Sequence, residues 1–241
     1  MPTRRTRRRR TYARPRARPL SGVSRAVPVV LACGALAAYA RWIRPGLLTW
    51  GATREEITRV YPGDELVPDA DATSTMATTL PAPPETVWAW LVQMGYDRGG
   101  WYSWDWLDHY GRPGTDHIDP RWQTLEEGQS IDTARGGRSW FSVALIAPHR
   151  TLVLRSDLDL TRGHSFDPRT GPAPRARLDG IWGFHLAPAP GGATRLVVRT
   201  RGLGRPRPLT RPLDLLIGEP VHFVMQARQF QNLRTRVAAA A

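Results

Sequence analysis

The 241-residue sequence predicts an α+β domain in which a curved antiparallel sheet wraps a long C-terminal helix, with a hydrophobic helix at the N-terminus. Three observations predict it. From Gly128 onward, apolar residues recur with period two in four successive stretches, as in half-buried strands. Residues 219–237 switch to helical spacing and form the last and longest element. Two short helical segments fall between a first strand and that run, so helices and strands are segregated rather than alternating.

Thr3 to Arg18 carries nine Arg, a composition that cannot bury apolar surface, so residues 1–25 are expected to form a disordered tail. Ala26 to Ala40 is then free of charge between Arg25 and Arg41, and the apolar segment extends through Trp42 and Ile43, giving 26–43. It falls slightly short of the roughly 20 residues of a bilayer span, although Arg41 can snorkel. Four readings are open. An uncleaved membrane anchor fits the flanking Arg and the interfacial Trp42 and leads the others. A cleaved signal peptide fits Ala38-Tyr39-Ala40, a lipobox-like Val30-Leu31-Ala32-Cys33-Gly34 would lipidate Cys33, and a buried helix is the plainest alternative. As an anchor the segment is a single attachment to the cell membrane. The excess of Arg before it keeps the tail in the cytoplasm and sends the domain to the extracytoplasmic side. Anionic lipid head groups suit the Arg tail.

Thr53 and Glu56 are spaced as a capping box that opens a short helix, which ends before Pro62-Gly63. Thr73 to Leu80 alternates as a strand. Pro84 suits a first helical turn, and Val87, Leu91 and Met94 continue at helical spacing up to Gly95. In the aromatic stretch from Trp101 to Tyr110, Ser103 is placed to cap a second short helix. The later strands are Ser139 to Ala147, Thr151 to Arg155, Gly180 to Leu186 and Thr194 to Arg201, the last two joined by a turn at Pro190-Gly191-Gly192. Ser156 to Gly180, polar and rich in Pro and Gly, is expected to be a lid or an unstructured loop. Trp182, Phe184 and Leu186 share one face with Leu196 and Val198, under the final helix, while Arg195, Arg199 and Arg201 face solvent.

The net charge of +13 is an end effect. Residues 1–44 hold twelve Arg and no acid, which leaves 22 Arg against 21 Asp and Glu in the remainder. Nucleic-acid binding by the Arg tail is a third reading, ranked last because the tail abuts an apolar run where basic residues serve orientation or anionic lipid contact, so no specific nucleic acid is expected as a partner. One cysteine excludes an internal disulfide. Ten Trp are the informative excess, because rings of that size fill a core or line a cavity.

Three stretches carry a family resemblance: Trp50 to Thr53 with Pro62 to Leu66; Ala82 to Gly95 running into Gly99 to Ser103; and Glu219 to Met225. Over about residues 48–237, within a domain of 48–241, the sequence resembles the SRPBCC superfamily, which includes START lipid-transfer domains, the major birch pollen allergen and polyketide cyclases, and within it an actinobacterial-type branch. The resemblance implies a helix-grip fold with a hydrophobic cavity between the concave sheet face and the long helix.

A small hydrophobic molecule, such as a lipid, isoprenoid or polyketide-like metabolite, is then the expected ligand. Tyr102, Trp106, Trp182, Phe184, Leu196, Val198, Phe223, Met225 and Phe230 are the candidate lining residues. Cyclases and dehydratases of the superfamily place an acid or base in this cavity, which makes His222 and then Tyr102 the catalytic candidates, although hydrogen-bonding roles within the structure suit both residues equally. No cofactor is expected. His109, Asp105, Asp108, Asp116, His117 and Asp119 crowd one stretch, but their spacing matches no closed metal site and none is expected.

Overall fold

The computed structural model describes residues 23–239. The chain divides into one unit ending at Ile43 and another beginning at Arg44. In the first, Val23–Ala38 forms α1 and Tyr39–Ile43 adds a wider π-type turn. The expected hydrophobic helix is present, with Val30, Leu31, Leu36, Trp42 and Ile43 exposed. At 16 residues α1 is short, and no helix among the described residues is long and apolar enough to cross a membrane. Residues 1–22 of the expected Arg-rich tail lie outside the described residues.

The second unit opens with α2 (Arg44–Leu48) and α3 (Arg54–Thr58). The Thr53 and Glu56 capping box is formed as the sequence predicts, each side chain accepting from the other residue's backbone N–H. β1 (Ala72–Leu80), α4 (Pro84–Val92) and α5 (Asp105–Asp108) follow. The strands β2 (Ser130–Asp132), β3 (Trp140–Ala147), β4 (Thr151–Asp159), β5 (His164–Ser165), β6 (Arg177–Ala189) and β7 (Ala193–Arg205) come next, before α6 (Arg207–Leu213) and α7 (Glu219–Ala239). All pairings are antiparallel in the order β1-β7-β6-β4-β3-β2, with β5 on the end of β4. This is the α+β helix-grip arrangement, a curved sheet around a long C-terminal helix.

Register sets the two faces. Phe184 pairs with Val198 and Leu186 with Leu196, so their side chains point to the concave side with Leu152 and Leu154 of β4. There they meet Phe230, Leu233 and Val237 of α7 and Trp90 and Leu91 of α4 in one core. Burial of each such side chain stabilises the fold by roughly 1.5–3 kcal/mol. Trp50 stacks on Phe230 with ring centroids 6.1 Å apart and meets Phe223 edge-on at 5.9 Å. α7 starts at Glu219, which is buried and accepts hydrogen bonds from Arg44 and Arg211.

The convex face corrects one expectation. Arg195, Arg199 and Arg201 do not face open solvent, because the strap formed by residues 49–71 crosses this side of the sheet. Arg199 is 7% exposed and donates to both carboxylate oxygens of Asp64 and to Thr75. Arg195 makes a two-point bond to Glu56 at 2.8 Å, and Arg201 donates to the Val67 carbonyl. Tyr61, Val67 and Leu66 of the strap pack against Val197, Val153 and Ile181. Period two assigned the face correctly, but a strand pattern contains nothing about a segment that later covers it.

Two further expectations change. Both ends of the stretch from Ser156 to Gly180 are strand, since β4 pairs with β6 out to Asp159 and Arg177, and the loop is confined to the residues between them, broken by the short β5. The ion pairs Arg155–Asp157 and Arg177–Asp179 along those strands conceal the apolar alternation that marks a strand elsewhere. Ser103 does not cap α5, whose N-cap is Trp104; its hydroxyl donates instead to the Met225 carbonyl at 3.2 Å.

Candidate functional site

A cavity of about 470 Å³ opens between the concave face and α7. Its position follows from the length of the strands. Near Leu196 and Val198 the sheet is covered by α4 and α7 and the core is closed, whereas toward Thr200 and Gly180 the side chains shrink and α7 spans a gap.

Three rings form its apolar wall. Trp101, Phe141 and Trp182 lie in a triangle with centroid separations of 5.6, 5.8 and 5.8 Å. A relay from α7 fixes this wall. Trp182 Nε1 donates to Gln226 Oε1 at 3.0 Å, Gln226 Nε2 to Gln229 Oε1 at 2.8 Å, and Gln229 Nε2 to the Trp101 carbonyl at 2.9 Å. Both glutamines are at most 2% exposed, so each bond avoids an unsatisfied amide in the interior.

Trp101 is delivered by a tight turn. Gly95 and Gly100 pair through both backbone N–H groups, and Gly100 holds φ at +85°, where a side chain is disfavoured. A Cβ at Gly99 would stand 2.7 Å from the Tyr102 hydroxyl and 2.8 Å from the Gln93 carbonyl. Tyr102 itself sits at φ 58°, and Asn232 of α7 holds its carbonyl and that of Ser103.

Two titratable groups line the cavity without a hydrogen-bond partner. Half-buried His222, on α7, is surrounded by protein without a charged neighbour to support it, and desolvation pushes its pKa down to about 4, so it is neutral near pH 7. Asp108, at the end of α5, has both carboxylate oxygens buried and unpaired. Burial first, and then the charge of Asp105, push its pKa up to about 6. No hydrogen bond joins the two residues, so they act as separate polar points on one apolar wall.

Among the candidate lining residues, Trp182 and Met225 border the cavity, as does the catalytic candidate His222. Phe184, Leu196, Val198 and Phe230 are at most 2% exposed in the closed core behind it. Phe223 packs on that core and Trp50. Tyr102 is buried with its hydroxyl accepting from Gln93 Nε2 at 2.9 Å and Arg236 over its ring; burial raises its pKa. Trp106 is 70% exposed on α5 and does not border the cavity. Trp101, Phe141, Gln226, Gln229 and Asp108 were missed as lining residues. Trp101 lay within the aromatic stretch already singled out, but buried glutamines carry no periodic signal that separates them from surface ones.

Apart from Asp108, the cluster around His109 is tied into its own loop by hydrogen bonds and ion pairs. Both His109 ring nitrogens lie 2.7 Å from carbonyls, those of Arg112 and Tyr96, and Asp119 pairs with Arg121. Among the described residues no group of three His, Cys, Asp or Glu is placed to hold a metal ion.

No protein-family profile and no curated protein sequence matches the chain. Solved structures do. A protein of Rhodobacter sphaeroides is 20% identical over 70% of this chain and 93% of its own, with a TM-score of 0.41. One from Mesorhizobium loti is 17% identical over 70% of this chain and 99% of its own, at 0.39. A protein in the dynemicin biosynthetic locus is 18% identical over 68% of this chain and 48% of its own, at 0.38. These superpositions are loose, and the fold assignment rests on the strand order and the packing of α7.

Proposed function

We propose that this chain binds a small, largely apolar molecule, such as a lipid, isoprenoid or polyketide-like metabolite, in the cavity beneath α7. One observation carries the reading: an open space of about 470 Å³ whose wall of Trp101, Phe141 and Trp182 is fixed by hydrogen bonds. Burying about 300 Å² of ligand at roughly 25 cal/mol/Å² offers about 7 kcal/mol before ordering costs, which sets micromolar binding as the upper limit.

The test is native mass spectrometry of the full chain purified from its producing cells. A defined apolar adduct that disappears in Trp182→Ala supports the reading. An empty protein that also takes up no member of a lipid and polyketide panel sinks it.

His222 favours a second reading, a cyclase-like or dehydratase-like enzyme using the same cavity. An unpaired neutral imidazole is available to accept a proton, although a pKa of about 4 makes it a weak base until a ligand changes its surroundings. Loss of turnover with retained ligand uptake in His222→Ala is the result that selects this reading.

The apolar segment 26–43 adds a tether at a membrane surface, with the Arg tail on anionic head groups. Exposed Trp42 and Ile43 support the tether, as does the apolar row Leu209, Leu213, Leu216 and Ile217 on the domain.

A further inference from the structure

We infer that the helical run from α6 into the first turns of α7 lies in the surface of a lipid bilayer, so that the domain itself, and not only the tether, docks on the membrane. The inference rests on the tether reading above and gives the domain a membrane contact of its own.

α6, the π-type turn Asp214–Gly218 and α7 follow one another with helical backbone at each junction. Along them Leu209, Leu213, Leu216, Ile217, Val221 and Val224 recur at helical spacing and so share one face. That face is turned outward, the first four being 58–67% exposed. The charged face is turned inward. Glu219 is buried and accepts from Arg44 and Arg211, and Arg211 also pairs with Asp214. An ordinary surface helix is built the other way round, with its apolar stripe against the core.

Packing holds the inversion in place. Buried Thr210 sits on β7 so closely that a Cβ at Gly204 would collide with its side chain. Rolling the leucines inward would also pull the buried Glu219 carboxylate from its two guanidinium partners, which is costly. The stripe therefore stays on the surface until something apolar covers it.

Two features select a bilayer as that cover. The stripe is wholly aliphatic, without the Trp, Tyr or Arg anchors that dominate protein interfaces. The second unit begins at Arg44, which is bonded to Glu219, so the apolar segment 26–43 joins the domain beside the stripe. One membrane surface then accepts both, with the Arg-rich tail adding attraction to anionic head groups. His222 and Met225 of the same turns line the cavity, so a docked domain holds that wall next to the lipid.

Single cysteines carrying an environment-sensitive fluorophore test this on the full chain in a Cys33→Ser background. The vesicles are phosphatidylcholine and phosphatidylglycerol with brominated acyl chains. Emission from labels at Leu213→Cys and Ile217→Cys should be quenched, while a label at Pro190→Cys, in the turn at the other end of β7, should keep its emission. Without any label, Leu213→Ser with Ile217→Ser should weaken vesicle binding about tenfold. Quenching at Ile43→Cys with none at the two stripe labels overturns the inference and leaves the tether reading intact. Quenching at none of these sites overturns both. A stripe label whose emission shifts to the blue with rising protein concentration, in the absence of vesicles, places a second copy on the stripe and also overturns the inference.

Discussion

On the convex face of the sheet Arg195, Arg199 and Arg201 each find an acceptor in the strap, whereas Asp108 of α5, a residue of the cavity lining, has none. On the convex face the charged groups are paired within one chain, so folding alone satisfies them, although the Tyr61 hydroxyl and His185 Nε2 there have no partner. Beside the cavity, on α5 rather than on the sheet, no described cation pairs with Asp108, so the two sides differ in how charge is held.

The largest test of this contrast lies at Arg199. Arg199→Ala leaves Asp64 buried without its cation and should cost about 3–5 kcal/mol, read as a lower denaturation midpoint in urea. The paired change Arg199→Met with Asp64→Leu should recover most of that loss, because replacing both charges removes the desolvation penalty as well as the attraction. No loss on Arg199→Ala would mean that the strap is only loosely applied.

Gln226→Leu should be smaller. It strands Trp182 Nε1 and the Gln229 amide in the interior, at about 1–3 kcal/mol, and frees the Trp182 ring. Uptake of an aromatic probe should weaken more than stability does; unchanged uptake would show that the relay serves only the core.

The smallest effect is a difference in pH profile, and the two unpaired groups have opposite signs. His222 has its pKa lowered on folding from 6.5 to about 4, so the unfolded chain binds more protons between those values. Its contribution is present above 6.5 and is lost as pH falls toward 4. Asp108 is raised from 3.8 to about 6, so its contribution is present below 3.8 and is lost as pH rises through 6. Relative to the parent chain, His222→Gln should gain stability on acidification and Asp108→Asn on neutralisation, each read from thermal midpoints. Buried His185, also pushed down to about 4, adds to the acid loss in every variant and cancels in the comparison.

Much of the fold was legible because it is periodic. The capping box at Thr53 and Glu56, the proline start at Pro84, and the shared face of Phe184, Leu186, Leu196 and Val198 follow from local spacing. The site was legible only in part. Apolar rings at the right period were expected to line a cavity, yet Phe184, Leu196, Val198 and Phe230 fill the core, because the same pattern describes a side chain packed against α7 and one left facing a gap.

By itself, then, the sequence determined the order of elements, which residues share a face, and the long helix that closes the sheet, since these depend on spacing along one segment. Tertiary structure decided which part of that face stays open. It also brought Asp64 to Arg199 across 135 positions and left Asp108 without a partner. Pairing between distant segments depends on where the chain returns, and no local period encodes that.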